Sequence, residues 1–424
     1  MNPLSYLKKD IFKDLSFLMG GTFIAQLIPI LLQPVLKRLF TVEEFGIFDI
    51  YFRSVGLLAI IFSLKYEKAI VLSKSKEDSV SIYVGIIILG IVSFLITEAV
   101  LVLLKSFGVD LFNFPGKYSL IIYLIPLSAL FFSINLASQL MFIRQKRFMA
   151  SSSLKIFRRS SEGVVQAGSG LSGQFWGLPI GEAIGNFTAA LIGFFRLKKG
   201  IRENLPLDFR ASIRSNARRY SEFPKYAFGS NLLNTFVLSA LTFQIFAKFS
   251  IQEVGWAELT QRMLTVPSAL IGVSLGQIIL QRVSAAYNNG KSVIRLLKGF
   301  LGFSTLIAVP FFITIYFWGP AIFSWVFGEV WEVSGDYARS LIASASLLLI
   351  ISPLGQFLIG LHKIKINSFW EVGKFLIIVS LFVVDFESIG AYLKVYNLLL
   401  IFIYLSYLII IVVNILKYEK SISR

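Results

Sequence analysis

Lys155, Arg158, Arg159, Glu162 and Gln166 fall at i, i+3, i+4, i+7 and i+11 of the segment SSLKIFRRSSEGVVQAG. That spacing lays ionisable and amide side chains along one face of a helix. The segment lies in an apolar stretch, and an ionisable group near the centre of a bilayer costs about 2.5–3.5 kcal/mol on insertion scales. Two arrangements relieve that cost. The stripe lines a water-filled cavity, or the cations snorkel to the cytoplasmic surface while Glu162 neutralises one of them. Gln166 carries the stripe further inward, which favours the cavity.

Other polar residues sit in similarly apolar surroundings. Arg53 lies about two helical turns inside its stretch, too deep for easy snorkelling, whereas Lys65, Glu67 and Lys68 suit an interface. Glu258 and Arg262 form an i, i+4 pair with Gln261 beside them, which reads either as structural pairing or as part of a cavity. Glu182 is well inside a helix in which Gly177, Gly181, Gly185, Ala189 and Gly193 recur every four residues. Small residues at that spacing let two helix backbones approach closely. Asn231 and Asn234, and Glu371 and Lys374, are further candidates for a polar interior, although Asn pairs also serve as interhelical hydrogen bonds. His362 is expected at a surface-exposed helix end.

Catalytic signatures are missing from the sequence. It has no H-E-x-x-H, P-loop or G-x-S-x-G motif and no acidic metal cluster. It has 0 cysteines, which excludes disulfides and thiolate chemistry. No catalytic residue, metal or cofactor is therefore expected, only coupling to protons, sodium or the membrane potential.

The elements that must position these residues are membrane helices. The chain of 424 residues is 56% hydrophobic and only 15% charged, against about 25% charged in a soluble domain. A stretch of about 20 apolar residues matches a hydrocarbon core of roughly 30 Å. Spans are expected near 14–36, 46–72, 79–105, 118–142, 151–172, 174–195, 226–249, 256–284, 299–318, 338–361, 368–385 and 391–416. The fifth is the least apolar. Ala321–Trp331, aromatic and following Gly319-Pro320, is either an interfacial segment or the continuation of the ninth span.

With the N-terminus inside, Lys8, Lys9, Lys13, Lys74, Lys76, Arg144, Lys146, Arg147, Lys363 and Lys365 all fall on the inner side. Only Lys37, Arg38 and Lys117 fall outside. The positive-inside rule then places both termini in the cytoplasm and calls for an even number of spans. The net charge of +17 is accounted for by these loops, and nucleic acid is not an expected partner. The basic segment from Arg196 to Lys225 splits the spans six and six. The expected organisation is an N-terminal lobe at 1–196, a cytoplasmic linker at 197–225 and a C-terminal lobe at 226–424, as in transporters built from repeated halves.

Four stretches carry a family resemblance. They are Gly20–Ser79, with R-L-F-T-x-E-E-F-G and K-Y-E-x-A-I-V-L; YSEFPKYAFGSNLLNTF at Tyr220–Phe236; the region of Gly255–Asn289, with Q-R-M-L-x-x-P and Q-x-x-S-A-A-Y-N-N-G; and FGEVWEVSGDYARSL at Phe327–Leu341. In order and spacing they resemble the polysaccharide-unit (O-antigen) flippases of the multidrug/oligosaccharidyl-lipid/polysaccharide (MOP) exporter superfamily. The chain departs from that pattern at Trp256-Ala257-Glu258, where small and aromatic residues are commoner.

The resemblance implies an all-α integral membrane protein with about twelve helices in two six-helix lobes around a central cavity that opens alternately to each side. It implies a bacterial inner-membrane location and an undecaprenyl-diphosphate-linked oligosaccharide as substrate, carried to the outer leaflet. A polysaccharide polymerase and a chain-length regulator would be its partners. Cationic cavity residues are a feature of the family, and Arg53, Arg158, Arg159 and Arg262 match it by helix and depth. Glu162, Glu182 and Glu258 would then couple or balance charge, with Gln166, Asn231 and Asn234 as further polar lining.

The physics is consistent. A sugar-diphosphate head would lose its hydrogen bonds with water in hydrocarbon, and Arg forks can replace those bonds at the phosphates. Three alternatives remain. A drug or metabolite antiporter of the same fold would favour acidic cavity residues. A peptidoglycan-precursor flippase would be expected to have more spans. A membrane glycosyltransferase or polymerase would carry a large outer loop.

Overall fold

The computed structural model describes residues 24–112 and 114–422. Residues 14–23 of the first expected span, and Lys8, Lys9 and Lys13, lie outside the described residues. The described chain is helical, with no strand among the described residues. It divides into two compact units, Met1–Phe236 and Val237–Arg424.

The N-terminal unit contains α1 (24–39), α2 (Val42–Ser63), α3 (Glu67–Leu72), α4 (Lys76–Ser106), α5 (Ile121–Arg144), α6 (Phe148–Leu171), α7 (Gly177–Glu203) and α8 (Phe209–Arg219). Helix α9 (Phe228–Lys248) crosses the boundary. The C-terminal unit continues with α10 (Ile251–Asn288), α11 (Ile294–Phe327), α12 (Glu332–Ile351), α13 (Gly355–Gly360), α14 (Ile364–Ser380) and α15 (Ile389–Ile422).

Local sequence sets the ends of these helices. Thr41 and Glu44 form a reciprocal capping box at the start of α2, with Thr41 N donating to Glu44 Oε2 at 2.8 Å and Glu44 N to Thr41 Oγ1 at 3.2 Å. Two first-turn amides are thereby satisfied. Ser75 caps α4 and Ser250 caps α10 in the same sense. Helix α2 stops at Ser63 because Leu64 and Lys65 adopt left-handed φ of 45° and 63°. The expected second span is therefore broken, with α3 as a separate turn. Ala321–Phe327 continues the ninth span, since α11 runs to Phe327 and ends at Gly328, whose φ of 112° an L side chain rarely adopts, while Glu329–Trp331 forms a separate 3-10 turn.

Among the described residues, nine helical segments are long and apolar enough to cross a membrane. The expected spans outside that set are α1, α6 and α10. The start of α1 lies outside the described residues, and α6 and α10 carry the ionisable residues that lower their mean hydropathy. At 24 residues, α6 is about 36 Å long, which still exceeds the hydrocarbon thickness.

Each unit has its own apolar core. In the N-terminal unit Ile70, Tyr83, Ile86, Phe142, Leu154 and Leu197 meet. In the C-terminal unit Ile279, Val283, Leu354, Phe357, Ile411 and Ile415 do so. Leu95, Ile96 and Leu103 on α4, Leu306 and Phe317 on α11, and Leu398 and Ile409 on α15 are exposed, which suits faces turned to lipid.

The segment expected as a separate linker at 197–225 is structured differently. Helix α7 runs on to Glu203, and α8 packs against α4 within the N-terminal unit. Ser81 and Ser212 hydroxyls bond at 2.7 Å, Tyr66 donates to Ala217 O at 3.0 Å, and Arg219 pairs with Asp78 at 3.2 Å. The amphipathic pattern explains this: Ile213 and Asn216 face inward while Arg210, Arg214 and Arg218 stay exposed. The compact N-terminal unit therefore extends to Phe236.

Candidate functional site

The small-residue row on α7 brings it against the polar stripe of α6. A Cβ at Gly181 would lie 2.4 Å from Gln166 Cγ, and one at Gly185 would lie 2.8 Å from Arg158 O and 2.9 Å from Glu162 Cβ. Only glycine permits that approach. The stripe is thereby divided. Its deep end is packed, with Gln166 donating from Nε2 to Leu178 O at 3.1 Å. Its other end borders a cavity.

Behind the stripe lies a buried network joining α2, α5, α6 and α7. Glu182 is fully buried. Its carboxylate accepts from Arg158 Nη2 at 3.1 Å, from Tyr51 OH at 3.1 Å and from Asn186 Nδ2. Tyr51 also bonds to Ser128. A buried carboxylate is sustained when it is both paired and hydrogen-bonded, and this one is. Arg158 lies 5.0 Å from the centre of the Phe132 ring, and its Nε has no hydrogen-bond partner among the described residues. Arg159 Nη1 pairs with Glu162 Oε2 at 2.8 Å.

The cavity has a volume of about 250 Å³. Lys155, Arg158 and Arg159 of α6 line it with Asn135 and Gln139 of α5 and Gln26 of α1. Gln139 Nε2 donates to Asn135 Oδ1 at 3.1 Å. None of the described residues lining it is acidic. Arg158 and Arg159 meet the Glu182 and Glu162 carboxylates, which stand behind the lining rather than in it. A guanidinium has five donors, so a single carboxylate partner does not exhaust it. The cavity can therefore bind an anion through forked N–H groups and amides.

All four arginines singled out by sequence are paired with carboxylates. Arg53 meets Asp49 at 3.1 Å, and Arg262 pairs with Glu258 one turn before it in α10. The structure brings Arg158 and Arg159 together at one cavity, with Glu162 and Glu182 as their partners. Arg53 belongs to α2, and Arg262 and Glu258 belong to the C-terminal unit. Asn231 donates to Ala227 O of its own turn at 2.7 Å, and Asn234 is exposed. His362 is exposed, as expected, with its ring centre 5.1 Å from that of Tyr287 and tilted by 47°.

Sequence reasoning did not single out Asn135, Gln139 or Gln26 at the cavity, and it kept Lys155 in the polar stripe without adding it to the arginines matched to substrate. Asn135 and Gln139 stand one turn apart in an apolar span, a signal of the same kind as the α6 stripe. Tyr51 gave no signal, since a tyrosine in an apolar helix is ordinarily core.

These features define a multi-pass, all-α membrane protein. The chain belongs to the family described as "Polysaccharide biosynthesis protein", whose model matches residues 35–336. No curated protein matches it significantly in sequence. Among solved structures it is similar to an inward-facing multidrug resistance MATE family transporter of the MOP superfamily, at 12% identity and a TM-score of 0.67, covering 95% of this chain and 98% of that one. It is similar to the lipid II flippase MurJ in an inward closed conformation, at 12% identity and a TM-score of 0.63, covering 94% and 99%. It is also similar to a MOP superfamily transporter from Pyrococcus furiosus described as having a binding pocket of reversed polarity, at 13% identity and a TM-score of 0.57, covering 97% and 94%. At these identities the likeness is one of fold.

Proposed function

We propose that the protein is a flippase. It carries undecaprenyl-diphosphate-linked oligosaccharide from the inner to the outer leaflet of the bacterial inner membrane by alternating access, for O-antigen, capsule or another surface polysaccharide. The observation that carries this reading is the basic, amide-lined cavity of α1, α5 and α6 in a chain of a polysaccharide biosynthesis family. Lys155, Arg158 and Arg159 take the diphosphate oxygens. Asn135, Gln139 and Gln26 replace water at the polar groups beside them. The apolar tail remains in lipid. Glu162 and Glu182 hold the guanidiniums in place.

Both termini face the cytoplasm in this reading. A polysaccharide polymerase and a chain-length regulator act on the delivered units. An inside-negative potential assists an unaccompanied anionic head outward by about 2.3 kcal/mol per charge per 100 mV. Coupling to protons or sodium is then not obligatory. The drug-antiporter alternative would favour acidic cavity residues, and none of the described residues lining this cavity is acidic.

The test is a deletion strain. It should accumulate undecaprenyl-diphosphate oligosaccharide in the inner leaflet and lose surface polysaccharide, with unchanged sensitivity to cationic dyes. Intact surface polysaccharide together with heightened dye sensitivity would instead establish the antiporter.

A further inference from the structure

Within the N-terminal unit, the left-handed break that ends α2 leaves a groove of about 230 Å³ against α4 and α8. Leu64 walls it on one side, Ile82, Gly85 and Leu89 of α4 on the second, and Ile213 and Ala217 of α8 on the third. None of the lining residues is charged. The polar ones are turned to neighbours. Ser81 bonds to Ser212 at 2.7 Å, Tyr66 donates to Ala217 O at 3.0 Å, and Asn216 Nδ2 donates to Ser212 Oγ at 3.5 Å. Asn216 Oδ1 has no hydrogen-bond partner among the described residues. A protein interior is close-packed, so an aliphatic space of this size is a place for an apolar occupant.

Two continuations of the groove narrow the class of occupant. Along α4, Gly85, Ile88, Leu89, Val92 and Ile96 recur at i, i+3, i+4, i+7 and i+11, which is one helical face. Ile88, Val92 and Ile96 are exposed, so the groove runs on into a face suited to lipid. Around α8, at about 100° per residue, Ser212 and Arg219 share one flank, where they hold Ser81 and Asp78 of α4. Ile213, Asn216 and Ala217 come next, at the groove. Arg210, Arg214 and Arg218, each four residues from the next, follow on the far flank. All three are exposed, and no carboxylate pairs with them among the described residues. Asp208, the nearest acid in sequence, is occupied in capping α8, where it accepts from Ala211 N at 3.0 Å. The three guanidiniums are spread over about 12 Å of helix. They form an open row beside an apolar groove, not the converging grip that a diphosphate would draw on.

We propose that this surface binds an acidic glycerophospholipid of the leaflet that α8 faces, with its phosphate on the Arg210–Arg214–Arg218 row and one acyl chain in the groove along Gly85, Leu89 and Val92. Charge complementarity selects the acidic head, since a basic amphipathic helix is drawn to an anionic leaflet. The apolar lining selects the chain. All these residues belong to the N-terminal unit, and the site is independent of what the protein carries.

The experiment is photolabelling of the full-length protein in phosphatidylcholine vesicles. The vesicles carry a trace of phosphatidylglycerol with a diazirine on its acyl chain or, in a parallel sample, phosphatidylcholine with the same chain, and the labelled peptides are mapped. The phosphatidylglycerol-to-phosphatidylcholine ratio at the α4 and α8 peptides should exceed that at the lipid-exposed α11 peptide by at least about five-fold, the attraction of a single cation for an acidic head. It should fall to the α11 value in Arg210→Gln/Arg214→Gln/Arg218→Gln. Gly85→Leu, whose Cβ would meet Ile213 Cγ1 at an ordinary 3.7 Å, should fill the groove and lower phosphatidylglycerol labelling of α8. Excess unlabelled phosphatidylglycerol should compete, and inorganic pyrophosphate should not. Equal ratios at α8 and α11 in the wild type, or an undiminished ratio in the triple variant, overturn the proposal. Displacement by pyrophosphate overturns it in favour of a soluble anion, and stronger displacement by farnesyl diphosphate than by phosphatidylglycerol overturns it in favour of a polyprenyl lipid. The wild-type ratio decides the matter even if a variant fails to fold.

Discussion

Consider the Arg158–Glu182 pair, whose nitrogen and oxygen lie 3.1 Å apart with the carboxylate fully buried. Glu182→Met leaves the Arg158 guanidinium without its counter-charge, and it leaves Tyr51 and Asn186 without an acceptor. Removing one partner of a buried ion pair costs about 3–5 kcal/mol. Each orphaned polar group adds roughly 1–3 kcal/mol where water cannot reach it. Glu182→Met and Arg158→Met should therefore each lower the apparent melting temperature in detergent markedly. The double variant places two apolar side chains where two charges stood, and such replacements are often neutral or stabilising by about 1–4 kcal/mol. Its melting temperature should recover much of the loss. Transport should not recover, because the guanidinium that binds the diphosphate is gone. The assay is surface polysaccharide in a deletion strain complemented with each variant at matched membrane abundance. Wild-type export by Arg158→Met/Glu182→Met would refute the reasoning and reduce the pair to a structural one.

The remaining predictions test other links. Arg159→Lys should export partially and Arg159→Ala should fail, because an ammonium cannot make the forked contact; equal export by both would remove Arg159 from the binding set. Gly185→Val should separate α6 from α7, since even a Cβ there would meet Arg158 O at 2.8 Å; overpacking of this kind costs about 1–3 kcal/mol, read as a lower melting temperature with loss of export. The chain has 0 cysteines, so single cysteines report topology cleanly. One at exposed Val330 should react with an impermeant reagent from outside, and one at exposed Arg210 only after permeabilisation; the reverse pattern would invert the orientation.

Hydropathy made most of the fold legible. Each expected span from the second onward coincides with a long helix or a pair of helices, because apolar length is a one-dimensional property. The break at Leu64 and Lys65 was not legible, since neither residue favours left-handed φ and tertiary packing imposes it. The docking of α8 was missed for a related reason. A basic segment reads as solvated until its inward row of Ser212, Ile213 and Asn216 meets α4. At the candidate site, the i, i+3, i+4, i+7 spacing from Lys155 put Arg158, Arg159 and Glu162 on one helix face. It did not reveal that Glu182, 24 residues away from Arg158, would neutralise it. That contact depends on the glycine row of α7, which signals close packing without naming the partner helix. Spacing likewise gave no sign that Asn231 would bond to its own preceding turn.

The central claim is that the protein moves an anionic, sugar-bearing lipid head between leaflets. The most direct measurement uses purified protein in liposomes containing fluorescent undecaprenyl-diphosphate oligosaccharide, with an impermeant quencher added outside. The account predicts that wild-type protein makes the inner-leaflet pool accessible far faster than empty liposomes do, and that Lys155→Gln/Arg159→Gln removes the acceleration while a cationic fluorescent lipid is not moved by either protein. Wild-type quenching at the rate of empty liposomes, or transport undiminished in Lys155→Gln/Arg159→Gln, would contradict it.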